Sequence, residues 1–444
     1  MRQKSGIPNA SYRQRFEKLV EKSHEDQPTW LISLRKQSMD LFETLGFPTA
    51  RRGNEEWKYT DVKTIATTDF SLPSKPTITD TAAKHLKKDG FNNPDFHRLV
   101  FLDGFYSREL SSQDSEVGDC IIGPLSEEWN STAVQKSLGT LANSQDHAFT
   151  ALNTAFTSDG AFIYIAANTK IKKPIAIIFL TLKRQDKIAT YPRTLIMMGK
   201  DSRAVIMETH GSIEDTEYLS NAVSEISLDD GSQLDHYRLQ IQSENAYHIG
   251  TTQVRLKQTS QFKSVSADLG GKLIRNNLIT DVAGQNASCM LNGLYITNGN
   301  QHVDNHITID HSQPHTHSRE YFKGILGDKS KTAFQGSIII RQNSQKVDSY
   351  QENKNLLLST TAEANTKPAF WIYADDVKCG HGASSGELDK DALFYLLSRG
   401  IPEKEAQAML IQGFITEIIE SIDFYPYRSQ LENLVRDKLS KMCE

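Results

Sequence analysis

Short stretches in which apolar and polar residues alternate recur along the middle of the sequence, from about residue 97 to residue 370. In one of them, Tyr237, Leu239 and Ile241 are the apolar members, and charged or amide side chains stand between them. Successive side chains of a β-strand point to opposite faces, so this alternation predicts strands that turn one face toward a core. The middle of the chain is therefore predicted to be mainly β.

Clusters of small and polar residues separate these stretches, and most of them recur roughly every 25 to 30 residues, a period typical of repeat proteins. The clusters lie at 199–202, 229–232, 258–260, 284–286 and 327–330. A repeat of strand, turn and strand fits a β-solenoid, in which each coil buries its inner face by stacking on its neighbours. An irregular β-sandwich or barrel has similar turn signals, so the residue pattern leaves that alternative open.

Helical patterns flank this β region on both sides. Near the start, Tyr12, Phe16 and Val20 fall at helical spacing. Near the end, Asp389 is a predicted N-cap, and Gly400 is a predicted helix stop. The predicted organisation is an N-terminal helical region, a β-helix core domain and a C-terminal helical domain, at residues 1–95, 96–385 and 386–444.

The composition is typical of a soluble globular chain without a broad basic surface. The 444 residues include 50 Lys and Arg and 55 Asp and Glu, for a formal net charge of −5. Nucleic acid and anionic membranes are disfavoured as main partners, because phosphate binding depends on clustered basic residues. No stretch approaches the roughly 18 to 20 apolar residues that cross a bilayer. The polar start, Met1 to Tyr12, predicts no secretory signal.

Four cysteines are scattered along the chain, and no two of them form a C-x-x-C pair. They are Cys120, Cys289, Cys379 and Cys443. Such usage indicates free thiols in a reducing compartment rather than a disulfide framework. We therefore predict a cytoplasmic protein.

The residue pattern with the clearest chemical meaning is the segment Lys378–Ala383, which reads Lys-Cys-Gly-His-Gly-Ala. If the strand-like run that begins at Phe370 continues through it, Cys379 and His381 project from the same face. A thiolate beside an imidazole suits iron or a transferred sulfur. A closed metal site needs about four ligands, so a cluster held here requires ligands from another chain. The alternative is that both residues are structural.

Histidines are also concentrated on a second segment, where carboxylates stand between them. These residues are His302, Asp304, His306, Asp310, His311, His315 and His317. Imidazole and carboxylate ligands suit Fe, Ni or Zn, so a stand-alone β-helical or cupin-like metalloenzyme is one interpretation. The spacing does not reproduce a compact motif such as H-E-x-x-H. The other interpretation is that these histidines are structural and form hydrogen bonds at a polar edge of the β region.

Several longer motifs follow one another between His302 and Phe414. They read His311-x-x-Pro314-x-x-x-Ser318-x-x-Tyr321-x-Lys323, Phe334-Gln335-Gly336, Gln345-Lys346, Tyr350-Gln351-x-Asn353-x-x-Leu356-Leu357-Leu358-Ser359, Ala374 to Ala383, and Leu393-Phe394-Tyr395-Leu396-x-Ser398-Arg399-Gly400. Closer to the start stands Glu56-Trp57-Lys58-Tyr59-Thr60. In order and spacing, these pieces resemble the SufB/SufD family of iron–sulfur cluster assembly proteins.

Within that family, the chain resembles the SufD branch more than the SufB branch. SufB proteins carry a sulfur-accepting cysteine just before their Leu-Leu-Leu run, where this chain has Asn353, and a glutamate after their histidine, where it has Gly382. The chain departs from the usual SufD pattern at Trp371, where an acidic residue is common, and at Gly380, where serine is common. A SufB-like paralogue is the alternative.

The resemblance implies a right-handed parallel β-helix, a solenoid, flanked by N-terminal and C-terminal α-helical regions. It also implies a non-catalytic scaffold subunit of the SUF assembly complex, whose partners are SufB and the ATPase SufC. His381, assisted by Cys379, is expected to complete a cluster-building site at the interface with SufB.

Further expectations come from the same resemblance. The iron–sulfur cluster is expected to be held only transiently, and this chain alone is expected to bind no permanent cofactor. The C-terminal helices are expected to dock SufC, with Phe394, Tyr395 and Arg399 as contact residues. The sulfur-donor system is expected to act on the complex indirectly. A homodimer of the isolated chain is an alternative that the resemblance leaves open.

Overall fold

The computed structural model shows that the alternating stretches are strands. It describes residues 10–23, 27–51, 54–76, 82–84, 86, 95–112, 118–145 and 147–442. In chain order the strands are β1 (His97–Leu102), β2 (Phe105–Tyr106), β3 (Ile121–Pro124), β4 (Gly160–Ile165), β5 (Ile175–Thr181), β6 (Ile188–Thr190), β7 (Arg193–Met198), β8 (Arg203–Ser212), β9 (Tyr218–Leu228), β10 (Gln233–Ile241), β11 (Tyr247–Leu256), β12 (Gln261–Asp268), β13 (Leu273–Val282), β14 (Ser288–Thr297), β15 (His302–His311), β16 (His317–Leu326), β17 (Lys331–Ile340), β18 (Asp348–Leu357), β19 (Glu363–Ile372) and β20 (Lys378–Gly386).

The strands belong to two sheets, and from β7 onward the chain alternates between them. The order in the first sheet is β2-β1-β5-β8-β10-β12-β14-β16-β18-β20, and in the second it is β19-β17-β15-β13-β11-β9-β7-β4-β3. Pairing along both sheets is parallel, except that β2 and β3 pair antiparallel with β1 and β4. Gln261 pairs with Gln233 and with Ser288, so each coil here takes 27 or 28 residues. The predicted parallel β-solenoid is confirmed; its right-handed winding stays a prediction.

One corner of the solenoid is built from a column of residues with a left-handed backbone. The column runs through Asp201, Gly231, Thr259, Asn286, His315 and Lys346, all with φ between 54° and 68°. Each position lies two residues before the next strand of the first sheet, and neighbouring coils are joined by hydrogen bonds such as that from the Thr259 amide to the Gln285 carbonyl. Most of the predicted turn clusters lie here, because Gly, Asn and Asp tolerate this conformation best.

The inner faces of the two sheets enclose an apolar core. Its members include fully buried Val254, Phe262 and Ile309. The outer face of the second sheet is covered by the N-terminal region, which packs against Leu219 and Tyr247. Burial of both faces explains why several strands read as nearly continuous apolar runs rather than alternating ones.

The helices lie mainly at the two ends of the chain, as predicted. They are α1 (Ala10–Ser23), α2 (Thr29–Leu45), α3 (Lys63–Thr67), α4 (Thr132–Ser137), α5 (Ala148–Phe156), α6 (Lys390–Ser398), α7 (Glu403–Glu420) and α8 (Tyr425–Met442). Helices α4 and α5 fall inside the stretch predicted as β core, between β3 and β4. Every residue of α5 from Phe149 onward is buried, and a short apolar run of this kind cannot be told from a strand by periodicity.

The C-terminal helices α7 and α8 cover the outer face of the first sheet. Ile415 and Leu431 belong to the same buried cluster as Leu239 of β10. Lys323 of β16 fixes α7 further, because its ammonium group donates to the Phe414 carbonyl at 2.6 Å and pairs with Glu417 at 3.2 Å. In the ranges given above, no helix combines the length and apolar character that crossing a bilayer demands.

Candidate functional site

Strand β20, in the last coil, carries Cys379 and His381 on one face. Cys379 pairs in register with Ser349, and His381 pairs with Gln351. Both partners are fully buried on the inner face of β18, so Cys379 and His381 continue that inner face, as their spacing predicted.

The strand-like run that begins at Phe370 does not continue through this segment. Strand β19 ends at Ile372, and residues 373–377 carry the chain across to the first sheet, where β20 begins. The physical reason is the corner of the solenoid, which moves the chain from one sheet to the other after about ten residues.

The Cys379 side chain is half-buried against the inner core. Burial raises the pKa of its thiol above the ordinary value, so the thiol is neutral at neutral pH. Next to it, the Ser349 hydroxyl lies 2.6 Å from that of Ser318, one coil further in. A neutral thiol is a poor ligand, and it becomes a thiolate only when a metal ion or another cation takes the place of its proton.

The His381 side chain is exposed, and its ring stacks on Phe370 from the opposite sheet. The ring centroids lie 4.9 Å apart with an interplanar angle of 29°. Two glycines flank the histidine, and a Cβ at Gly380 would touch the Tyr350 ring at 3.3 Å. The imidazole is therefore held by stacking while its nitrogens remain accessible, in a backbone that another chain can approach closely.

The coil that carries these residues is an open end of the solenoid. No residue of β19 or β20 is fully buried, whereas seven of the ten residues of β17 and five of the ten residues of β18 are. Tyr350, Trp371, Ile372 and Tyr373 leave large apolar surfaces exposed there. The other end is different, since antiparallel β2 and β3 terminate the two sheets. Exposed strand edges with apolar side chains are a template for pairing with another chain.

Helix α6 follows directly after β20 and carries two of the three residues predicted to contact a partner, Phe394 and Tyr395, while the third, Arg399, is its C-cap. Phe394 is 72% exposed and Tyr395 is 57% exposed. The Arg399 guanidinium stacks over the Tyr395 ring at 5.0 Å. No residue of this helix is buried, although its N-cap is well formed, with Asp389 accepting from the amides of Asp391 and Ala392. A formed helix with an uncovered apolar face is typical of a docking element.

The histidines between residues 302 and 317 do not converge on one point. His302 bonds to Thr60 at 3.0 Å, and His306 pairs with Asp304 at 3.1 Å. His311 faces inward and bonds to Thr316 at 2.7 Å and to Ser318, and burial lowers its pKa to about 4. Within the described ranges, no group of three or more His, Cys, Asp or Glu side chains is placed to hold a metal ion. The geometry favours the structural interpretation.

Asp304 ties the N-terminal region to the solenoid. It accepts from Thr60 and from the buried Arg275 guanidinium at 2.6 Å, and Trp57 stacks on that guanidinium at 4.2 Å. Burial pushes the pKa of Asp304 up, but Arg275 and His306 outweigh it and hold this pKa below its ordinary value. The Glu-Trp-Lys-Tyr-Thr motif is therefore an anchor between the two regions.

Replacing Asp304 with asparagine is expected to destabilise the chain by about 3 kcal/mol, because it leaves the buried Arg275 guanidinium with the partly exposed Glu56 carboxylate, 3.5 Å away, as its remaining charged partner. Urea unfolding measures the loss. Asp310→Asn is the matched control on the same strand. Its partner Arg341 is exposed, so this change is expected to cost less than about 1 kcal/mol. Equal losses in the two variants would contradict the anchor.

The sequence did not reveal a polar layer beneath the last coil. Glu320 and Gln351 lie on the inner faces of β16 and β18, and both are fully buried. Beside them, Asn353 donates to Tyr295 at 2.9 Å and accepts from Thr366 at 2.8 Å. Every second residue of β16 and β18 faces inward, and these side chains are among them. This position in the alternation was the sequence signal that could have revealed their burial.

Comparison with known protein families assigns almost the whole chain. A family profile described as "SUF system FeS cluster assembly, SufBD core domain" matches residues 180–414. A second profile, "SufBD protein N-terminal region", matches residues 8–177. The first covers more than half of the sequence, including most of the solenoid, the last coil and α6.

Curated relatives lead to the same family. An iron–sulfur cluster assembly SufBD family protein of Synechocystis is 32% identical over 91% of this chain and 90% of its own length. The iron–sulfur cluster assembly protein SufD of Escherichia coli is 28% identical over 94% of this chain and 95% of its own length. A chloroplastic protein of Arabidopsis thaliana, ABCI7, is 28% identical over 95% and 89%. With its solenoid and both family profiles, the chain belongs to the SufBD family of iron–sulfur cluster assembly proteins.

Proposed function

We propose that this chain is a non-catalytic scaffold subunit that supplies half of a cluster-building site at the open end of its solenoid. The observation that carries the proposal is the uncapped last coil, in which no residue of β19 or β20 is buried. Cys379 and His381 lie on its inner side, at the opening of the solenoid interior that we call the mouth. A repeat protein needs its terminal repeat covered. A partner that covers this coil would also complete the ligand set.

The partner proposed at the open end is SufB. SufD is the name of the Escherichia coli and Bacillus subtilis relatives, and the SUF system named by the family profile supports partners of this kind. Large aromatic groups such as Trp371 favour a protein partner, because they contribute most to binding when fully desolvated. Because Gly380 and Gly382 have no side chains, the partner's backbone can approach His381 closely.

The cargo proposed for the joint site is an iron–sulfur cluster that is assembled and then passed on. The His381 imidazole would provide one ligand, and the Cys379 thiol a second once it loses its proton to an arriving metal ion. Two ligands hold such a cluster too weakly for storage. This suits a site that must release its product when the partner moves away.

Helix α6 is proposed to dock the ATPase SufC, and the ATP-hydrolysing activity of the complex is proposed to reside there. Phe394 and Tyr395 give the contact its apolar area, and Arg399 gives it a charged group at the margin. Because β20 leads directly into α6, a displacement of the helix would be transmitted to Cys379 and His381.

Two substitutions are expected to separate the two partners. Tyr373→Glu places a charge at the open end, where the tyrosine is 60% exposed, and is expected to weaken SufB binding by at least about tenfold while SufC is retained. Phe394→Glu is expected to have the opposite effect: the SufC that this chain binds is lost, and SufB binding is retained. Co-purification from cells that express all three proteins, with the tag on this chain, measures both ratios.

Each of these variants is the control for the other, since both exchange an exposed aromatic side chain for a carboxylate. Unfolding would remove both partners at once, which circular dichroism would detect. A folded Tyr373→Glu chain that keeps SufB, or a folded Phe394→Glu chain that keeps all its SufC, contradicts the assignment of that surface.

We also propose a cytoplasmic location and self-association in the absence of partners. The described cysteines Cys120, Cys289 and Cys379 are free thiols, which suits a reducing compartment; Cys443 lies outside the described residues. The open end of one chain can pair with that of another, so a homodimer of the isolated chain rests on the same surface as the SufB contact.

A further inference from the structure

A column of three polar side chains runs inward from the open end of the solenoid. Glu320 of β16 pairs in register with Gln351 of β18, and Gln351 pairs with His381 of β20. Neighbouring strands lie about 4.8 Å apart, so the three side chains follow one another at that step along the axis. His381 is exposed at the mouth, whereas Gln351 and Glu320 are only 0% and 1% exposed.

Within the part of the chain that the structure describes, the two inner members of this column have no hydrogen-bond partners. Both carboxyl oxygens of Glu320 and both polar atoms of the Gln351 amide are buried and unpaired. Nearly every buried polar group in a folded protein is paired, and leaving one unpaired costs free energy. A buried carboxyl and a buried amide on adjacent strands, both unpaired, indicate a ligand that the two can share.

The Gln351 side chain reaches a glycine on the opposite sheet. A Cβ at Gly336 of β17 would lie 1.9 Å from the Gln351 amide nitrogen. Any larger residue there would displace the amide, so the Gln351 side chain crosses the interior only because position 336 has no side chain.

Carboxylate and carboxamide oxygens are ligands that suit divalent ions such as Mn²⁺. The His381 imidazole lies two strand steps from Glu320, so it lies on the way in and does not share an ion with that carboxylate. Two ligand atoms that each lie about 2.1 Å from an ion stand up to about 4.2 Å apart, close to the step between strands. The ion would keep water in its remaining positions. Because the set includes an amide, it is not a group of three His, Cys, Asp or Glu side chains.

We propose that Glu320 and Gln351 form an inner binding site for a divalent metal ion that favours oxygen ligands, such as Mn²⁺ or Fe²⁺, reached from the open end past His381. When the ion binds, the Glu320 O–H bond breaks, an oxygen–metal bond forms, and the proton leaves to solvent. The identity of the ion as iron rests on the proposed function; the presence of a cation site does not.

Equilibrium dialysis of the full-length chain against Mn²⁺ tests the site, because this ion favours oxygen ligands over thiolate. The native chain is expected to bind Mn²⁺, and Glu320→Gln is expected to bind it at least about tenfold more weakly. Glu352→Gln, the same exchange on the outer face of β18, is expected to bind like the native chain. A urea unfolding curve for each variant checks that it is folded.

Equal binding by the native chain and folded Glu320→Gln would overturn the proposal, and so would no binding by the native chain. The outcome is separate from that of the proposed function. Mn²⁺ binding lost in Glu320→Gln supports the inner site even if clusters form without His381. Cluster formation that depends on His381 supports the proposed function even if Glu320→Gln binds Mn²⁺ normally.

Discussion

Replacing His381 with alanine is expected to reduce iron–sulfur cluster formation by the assembled complex by at least about tenfold, because the site loses a ligand that no neighbour replaces. Folding is expected to be unaffected, since the side chain is exposed and its main contact is the stacked Phe370 ring. The measurement is the yield of cluster, by visible absorbance and by iron and sulfide content, on complex purified after co-expression with the partners.

His317→Ala is the matched control, because His317 is also exposed and also lies on a strand of the first sheet. This variant is expected to form clusters at the native level. Co-purification of both partners with each variant shows that the complex is assembled, and an unchanged unfolding midpoint shows that the variant is folded. A folded, fully assembled His381→Ala complex with the native cluster yield would refute the role given to this residue.

Replacing Glu320 with glutamine is expected to stabilise the chain strongly at alkaline pH. Burial raises the pKa of Glu320 to about 8 in the folded chain, from 4.5 when the side chain is free in water. The folded state therefore holds a proton that the unfolded state releases. That stabilising effect of the proton is complete below about pH 4.5 and is lost progressively until about pH 8.

The near-isosteric glutamine carries no ionisable group and escapes this loss. The gap between the two pKa values corresponds to roughly 5 kcal/mol above pH 8, and to little difference near pH 4.5. Urea unfolding of both proteins at a series of pH values, without added metal, measures the divergence. Glu352→Gln, on the outer face of β18, is the control and is expected to differ from the native chain by less than about 1 kcal/mol at every pH. Parallel curves for native and Glu320→Gln would contradict the predicted pH dependence.

The architecture could be predicted from the sequence because a solenoid repeats one local rule. Alternation such as that of Tyr237, Leu239 and Ile241 predicted the strands, and the polar clusters between the strands predicted the corners. The residues alone did not separate a solenoid from a sandwich, because partner strands lie 27 or 28 residues apart in this part of the chain. That offset is a long-range property, and only the family resemblance pointed to it.

The candidate site was predictable in part. The pair Cys379 and His381 could be placed on one face from their spacing, but the open coil around them could not, since the exposure of β19 and β20 depends on the absence of a following coil. The carboxyl of Glu320 was missed because a glutamate in an alternating strand is normally assigned to the solvent face. Its burial follows from its position in β16, because Ser318 and Phe322, two residues to either side, are buried on the same face.

The parallel register of the coils has a consequence for the length of the solenoid. A coil of the usual size, inserted or removed between two corners, would move the mouth along the axis by about 4.8 Å and leave its chemistry unchanged. A single residue added within a strand would instead exchange the inner and outer side chains of that strand. The separation between the antiparallel cap at β2 and β3 and the mouth at β20 can therefore change only in whole coils.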